Sequence, residues 1–244
     1  MAVRRFGPRV GGLIGGLPVV AGPILLVLAL LHGRSFGANA ATGSLLGLGS
    51  LAAFVTVYAA ACPRVSPPTA LVLGWCTFLA ATVLLAPIDA GAVPALAVAC
   101  GSFWVAMLLI PRPVDGTTAV AGPPAWDLPV RAACAGAMVV ALTAASAGLG
   151  AHVSGLLAPF PVITSVLAAF THAQRGPGDT LRLLQGMLIG LFAFALFCFT
   201  VAVGLRHGGI AVAFGAATTS AILIQGVAVT ADRVRTRRLA AARA

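Results

Sequence analysis

Two proline-bearing segments hold the residues of this chain best suited to chemistry. One is Gly15-Gly16-Leu17-Pro18 with Gly22-Pro23 a turn later; the other is Ala158-Pro159-Phe160-Pro161 followed by Thr164-Ser165. A proline inside a helix removes a backbone donor and clashes with the carbonyl one turn earlier. In lipid, backbone groups freed this way persist only when buried in protein or facing a wet cavity. Unwound carbonyls can hold a cation, and half-helix N-termini can face an anion. The spacing predicts that Ile14 and Leu157 carry the freed carbonyls and that Pro18 and Pro161 face each other's segment. The plainer alternative is a pair of proline kinks with close glycine packing between helices.

The remaining polar groups are sparse. Gln185, Gln225, Thr218, Thr219, Ser220, Thr143, Ser146 and Ser50 fall inside apolar stretches. They suit either a neutral hydrogen-bonding path or helix-to-helix hydrogen bonds. Asp89 reads as a loop cap beside Pro87, Asp127 as a helix start, and Asp179-Thr180 as an N-cap. No carboxylate or histidine stands in mid-span, which argues against a proton-driven pump. His32, His152, His172 and His207 lie at span ends, and the 5 cysteines are scattered singly. There is no metal spacing and no phosphate loop, and Gly47-Leu48-Gly49-Ser50-Leu51 lacks the strand–turn–helix setting of a hydrolase nucleophile. The chain is read as a non-enzyme without cofactor or metal.

The elements that must position these residues are set by composition. Of 244 residues 60% are hydrophobic and only 8% charged, with 15 arginines, no lysine, 5 aspartates and no glutamate. Soluble domains carry roughly 25% charged residues. The composition excludes a soluble enzyme, a disordered chain and a fibre, and predicts an all-α, polytopic transmembrane bundle. Eight apolar segments follow, near 10–31, 38–62, 68–88, 91–111, 128–149, 152–171, 183–205 and 208–230. Each approaches the ~20 residues a crossing helix needs, and none alternates as a barrel strand would. With the N-terminus cytoplasmic, 13 of the 15 arginines fall inside, leaving Arg34 and Arg206 outside. Both termini are then cytoplasmic. The partner implied is the bilayer, with anionic lipid at the tail cluster Arg233, Arg235, Arg237, Arg238 and Arg243. The net charge of +10 needs no nucleic acid to explain it. Arg4-Arg5 and Ala38-Asn39-Ala40 loosely match an export signal, but the apolar run between them is long and broken by Pro18 and Pro23.

The chain also repeats itself. At an offset of 143, Gly7, Val10, Gly12, Leu13, Pro18 and Val19 lie over Gly150, Val153, Gly155, Leu156, Pro161 and Val162. The next span matches at the same offset through Gly43/Gly186, Gly47/Gly190, Ala52/Ala195 and Phe54/Phe197, and the loop through Gly33/Gly176. An odd number of crossings separates the copies, which predicts an inverted repeat, a plan common in secondary transporters. The expected organisation is a first repeat at 1–88 lacking its leading helix, a linker helix and cytoplasmic loop at 89–127, a second repeat at 128–232 and a basic cytoplasmic tail at 233–244.

Residues 155–176, with Pro159-Phe160-Pro161 and Gln174-Arg175-Gly176, resemble the GlpM-type small bacterial membrane proteins, four-span units with a broken segment before a basic-glycine loop. Residues 11–23 are a degenerate version, with Gly16 in place of Pro159, and resemble bacterial proteins of eight to nine spans that look like tandem fusions of such units. The resemblance implies a multi-pass protein of the bacterial cytoplasmic (inner) membrane and carries no biochemical activity. The expected function is a transporter- or channel-like permease for a small solute. Its pathway would use Gly15, Gly16, Pro18, Gly22, Pro23, Pro159, Pro161, Thr164, Ser165, Gln185 and Gln225. The alternative is a non-transporting accessory protein for envelope biosynthesis.

Overall fold

A computed structural model describes residues 8–18, 21–111, 127–146 and 155–241. The helices are α1 (Pro8–Gly15), α2 (Ala21–His32), α3 (Arg34–Ala61), α4 (Pro67–Leu85), α5 (Ala92–Leu109), α6 (Asp127–Ser146), α7 (Val162–His207) and α8 (Ile210–Ala241). One helical turn at 155–157 precedes α7, and no strand occurs among the described residues. Among the described residues five helices are long and apolar enough to cross a membrane: α3, α4, α5, the stretch Gly155–His207 containing α7, and Ile210–Ala231 of α8.

The outside of the bundle is apolar. Leu31 is 74% exposed, Leu84 75%, Leu108 81% and Val212 72%. In water such a surface would be an unstable contiguous patch; in lipid it is the solvated face. This is the make-up of a helical membrane protein. The centre belongs to α3 and the α7 stretch, whose apolar windows are 67% and 61% buried, against 22%, 28% and 22% for α4, α5 and α8. Sequence explains the difference. From Gly37 to Ser50, α3 is dominated by Gly, Ala and Ser, and every residue there except Asn39 is buried. Small side chains let neighbouring backbones come close, which is how helices associate when lipid offers no hydrophobic drive.

Two glycines set the turns. Gly33 has φ 88 and ψ 170, and Gly176 has φ 77 and ψ −179. They are the positive-φ residues among those described, and they are equivalents in the repeat alignment. That backbone region is essentially closed to side-chain-bearing residues. Gly33 ends α2 and lets α3 turn back; Gly176 breaks the 46-residue α7 into arms 162–175 and 177–207. Arg34 of α3 donates to the Gly208 carbonyl at 3.1 Å, and Gly37 packs on Leu205. The start of α3 therefore meets the end of α7, so α3 and the second arm run antiparallel.

Several boundaries differ from expectation. α3 starts at Arg34 rather than near 38, and the second arm of α7 starts at 177 rather than near 183. Asp179 is not an N-cap. Pro177 opens the arm, because proline needs no donor partner in the first turn, and the Thr180 hydroxyl donates to the Gly176 carbonyl at 2.9 Å. Asp179 instead pairs with Arg175 at 3.7 Å and Arg182 at 2.9 Å within the helix. α8 continues unbroken from Ile210 to Ala241, across the expected start of a separate tail. Asp127 is the first described residue of α6, and the residues before it lie outside the described ones, as does its expected role as a helix start. The side chains of Thr143, Ser146, Arg233, Arg235, Arg237 and Arg238, and the whole of Asp115, His152 and Arg243, lie outside the described residues.

Replacing Gly33 or Gly176 by alanine should destabilise the protein by about 1–3 kcal/mol each. Gly101, exposed in α5 with nothing near a built Cβ, is the control, where alanine should be neutral or stabilising by up to about 1 kcal/mol. Thermal unfolding of the three variants in detergent checks this. Equal melting temperatures for all three would contradict the turn assignments.

Candidate functional site

The two proline segments fold alike. In the first, α1 stops at Gly15 and α2 resumes at Ala21. In the second, the turn at 155–157 stops before Ala158 and α7 resumes at Val162. Leu17 N–H donates to the Ile14 carbonyl at 3.2 Å, and Phe160 N–H donates to the Leu157 carbonyl at 2.9 Å. Past each proline, Gly22 N–H donates to the Pro18 carbonyl at 2.9 Å and Ser165 N–H to the Pro161 carbonyl at 2.8 Å. In each case both partners of the first bond align with both partners of the second at the repeat offset. The expectation that Ile14 and Leu157 carry free carbonyls is corrected. A tightened three-residue turn recovers both acceptors, as commonly happens where an α-helix ends.

The short halves dock in the same reciprocal way. α1 lies beside the second arm of α7, with Arg9 against Gly186 and Leu13 against Gly190. The numbers rise together, so the two run parallel. The turn at 155–157 lies beside α3, with Gly155 against Ala40 and Gly47 against Leu156. A Cβ on Gly190 would overlap the Leu13 carbonyl, and one on Gly47 the Leu156 carbonyl. A Cβ on Gly12 would overlap the Leu183 carbonyl, and one on Gly155 the Ala40 carbonyl. These four overlaps form two pairs of counterparts at the repeat offset.

Between the breaks lies a cavity of about 40 Å³. Its walls include Gly15, Leu17, Ala21 and Leu51 and, facing them, Ala158, Phe160, Thr164 and Phe194. These form four pairs at the same offset. A water needs roughly 10–15 Å³ of such space, so the cavity has room for about two or three waters and for no larger solute. Among the described residues the Thr164 hydroxyl is the one side-chain polar group in its walls, which also include Pro18 and Pro159.

The predicted residues separate into groups. Gly15, Pro18, Pro159 and Thr164 meet at the cavity. Pro161 is buried beside it without lining it, so of the two prolines expected to face the other segment Pro18 lines the cavity, and in the second segment Pro159 does. Gly16 packs on the backbone of Gly190, and Gly22 faces the Phe197 ring. Pro23 is exposed on the outer surface of α2 and takes no part in the site. Ser165, 1% exposed, turns away and accepts from Trp75 Nε1 of α4 at 2.9 Å. Phe160 is held by Trp75 and by an edge-on Phe78, with ring centroids 6.3 and 5.2 Å away. Gln185 lies apart, its amide 3.5 Å from the Pro111 carbonyl. Gln225 of α8 donates to the Leu13 carbonyl and so fastens the first break. Thr219 and Ser220 bond back to carbonyls of their own helix. Sequence reasoning missed Leu51 and Phe194, plain apolar residues with no polar signal to mark them.

Among the described residues no three His, Cys or Asp side chains gather as a metal site. No family model, no curated protein and no solved structure matches this chain.

Gly47→Ala and Gly190→Ala should each destabilise the protein by about 1–3 kcal/mol, since an added methyl meets a backbone carbonyl with nowhere to move. Thermal unfolding in detergent should give losses within about 1 kcal/mol of each other, as expected for equivalent contacts. Tolerance of alanine at either position would contradict the close helix approach.

Proposed function

We propose that this chain is a permease for a small solute, built as an inverted duplication of a broken helix and its partner. One observation carries the reading: a cavity walled by residues of two helix breaks that are equivalent in the repeat. Reciprocal docking, matching turns at Gly33 and Gly176, and antiparallel α3 and second arm of α7 support the duplication. Eight crossings fit the same geometry. α1 and α2, 8 and 12 residues long, are each too short to cross, but at 1.5 Å per residue they together reach about 30 Å, the thickness of the hydrocarbon core. The stretch Gly155–His207 is long enough to cross twice once broken at Gly176 into 155–175 and 177–207. That count, with the arginine bias, supports a bacterial inner membrane location with both termini cytoplasmic.

Paired breaks facing one another near the middle of a bundle are where inverted-repeat transporters hold their solute. A cavity of about 40 Å³ is then the occluded form of the path, and rocking of one repeat against the other would enlarge it. The GlpM-type resemblance rests on residues 155–176 and supports the broken-segment plan without adding an activity. The rival reading, a static accessory protein, draws on the glycine-on-carbonyl contacts that pack α1 against α7 without space for water.

Cysteine labelling separates the two. In a variant whose cysteines 62, 76, 100, 134 and 198 are replaced by alanine, Ala21→Cys and Thr164→Cys place thiols on the cavity. A membrane-impermeant methanethiosulfonate should modify both at least tenfold faster than Leu79→Cys on the lipid face, and Pro18→Ala or Pro159→Ala should change those rates. Rates at 21 and 164 as slow as at 79 from both sides of the membrane would defeat the permease and leave the accessory protein.

A further inference from the structure

A second cavity opens where three helix ends meet. It measures about 640 Å³ and is lined by Asn39 and Thr42 of α3, by Ala86, Pro87, Asp89 and Ala90 after α4, and by Arg206 near the end of α7. Small-molecule sites usually enclose about 300–1,000 Å³, so this space fits a solute where the cavity between the breaks does not. Among the described residues its wall carries one acid and one base, both exposed. Asp89 and Arg206 line the same space, yet neither takes part in an ion pair among the described residues, where the pairs are Arg175–Asp179 and Arg182–Asp179. The neighbouring Arg34 is already engaged with the Gly208 carbonyl. Asn39 adds an amide. The Thr42 hydroxyl donates to the Ala38 carbonyl at 3.0 Å, which leaves its oxygen as an acceptor.

These groups sort into two halves. The Asp89 carboxylate and Thr42 oxygen suit an ammonium group, and the Arg206 guanidinium and Asn39 amide suit a carboxylate or phosphate. A simple anion or cation would satisfy one wall charge and leave the other unmatched. We propose that this vestibule binds a zwitterion bearing both an ammonium and an acid group. The chemistry is shared by free amino acids and by the phosphoethanolamine headgroup of a lipid. The inference deepens the permease reading, on which it rests for its role, by giving the class of solute that would enter the path.

The full chain in maltoside detergent, free of zwitterionic lipid, allows a direct test by thermal shift and titration calorimetry. The probes are the twenty amino acids, dihexanoyl phosphatidylethanolamine, acetate and ethylamine. At least one zwitterion should stabilise the protein, with Kd at least tenfold lower than for acetate or ethylamine. Asp89→Asn and Arg206→Gln should each raise that Kd at least tenfold while leaving the ligand-free melting temperature unchanged. Binding of an amino acid identifies a free solute; binding of the phosphatidylethanolamine alone identifies a headgroup. No zwitterion binding, equal binding of acetate or ethylamine, or a Kd indifferent to both variants would overturn the vestibule. Binding is read without transport, so that result leaves the permease to its labelling rates.

Discussion

The fold depends on one constraint: in hydrocarbon every backbone polar group needs a partner, and an unpartnered one costs several kcal/mol. Breaking a helix twice in mid-bundle therefore demands local repair. Here each break recovers its own acceptor through a tightened turn, Leu17 to Ile14 and Phe160 to Leu157. Each is then shielded by a helix bearing glycine at the point of approach, Gly190 over Leu13 and Gly47 over Leu156. The glycines of α3 and α7 are thus consequences of the prolines. A break cannot be covered closely by a helix that carries side chains at the contact.

The two halves repair their breaks with different side chains. The second is clasped from α4, where Phe160 meets a tilted Trp75 and an edge-on Phe78 and Ser165 receives the indole N–H. The first has Leu17 and Gly22 at those places and is held from α8 by Gln225 on the Leu13 carbonyl. An exchange of partners between halves, with the backbone geometry kept, fits the proposed duplication followed by divergence. It also gives the two halves unequal grips, one aromatic and one through an amide.

Much of this was legible in the sequence. Apolar run lengths gave the long helices, and a shared proline with repeated glycines suggested a pairing of 7–62 with 150–205, with which the matched turns and glycine contacts of the described residues agree. Gly33 over Gly176 was visible as an alignment, and its reason is the positive φ that both adopt. Other features were not legible. The sequence marks a proline but not the rescue of the carbonyl before it, because that depends on whether the chain tightens or opens. It placed Pro23, Ser165, Gln185 and Gln225 in one path, whereas the side-chain directions send Pro23 outward and tie the other three to separate partners, Trp75, the Pro111 carbonyl and the Leu13 carbonyl. Leu51 and Phe194, which wall the cavity, look in sequence like any other buried apolar residue.

The central claim is that the two halves cross the membrane in opposite directions. Ser35 follows Gly33 and Gly178 follows Gly176, so these residues are equivalents at the two turns of the repeat. In the alanine-substituted background, Ser35→Cys and Gly178→Cys can each be labelled in intact cells and again after permeabilisation with an impermeant maleimide. The account predicts labelling of the cysteine at 35 from outside intact cells and of the cysteine at 178 only after permeabilisation. Labelling of both from the same side would contradict it.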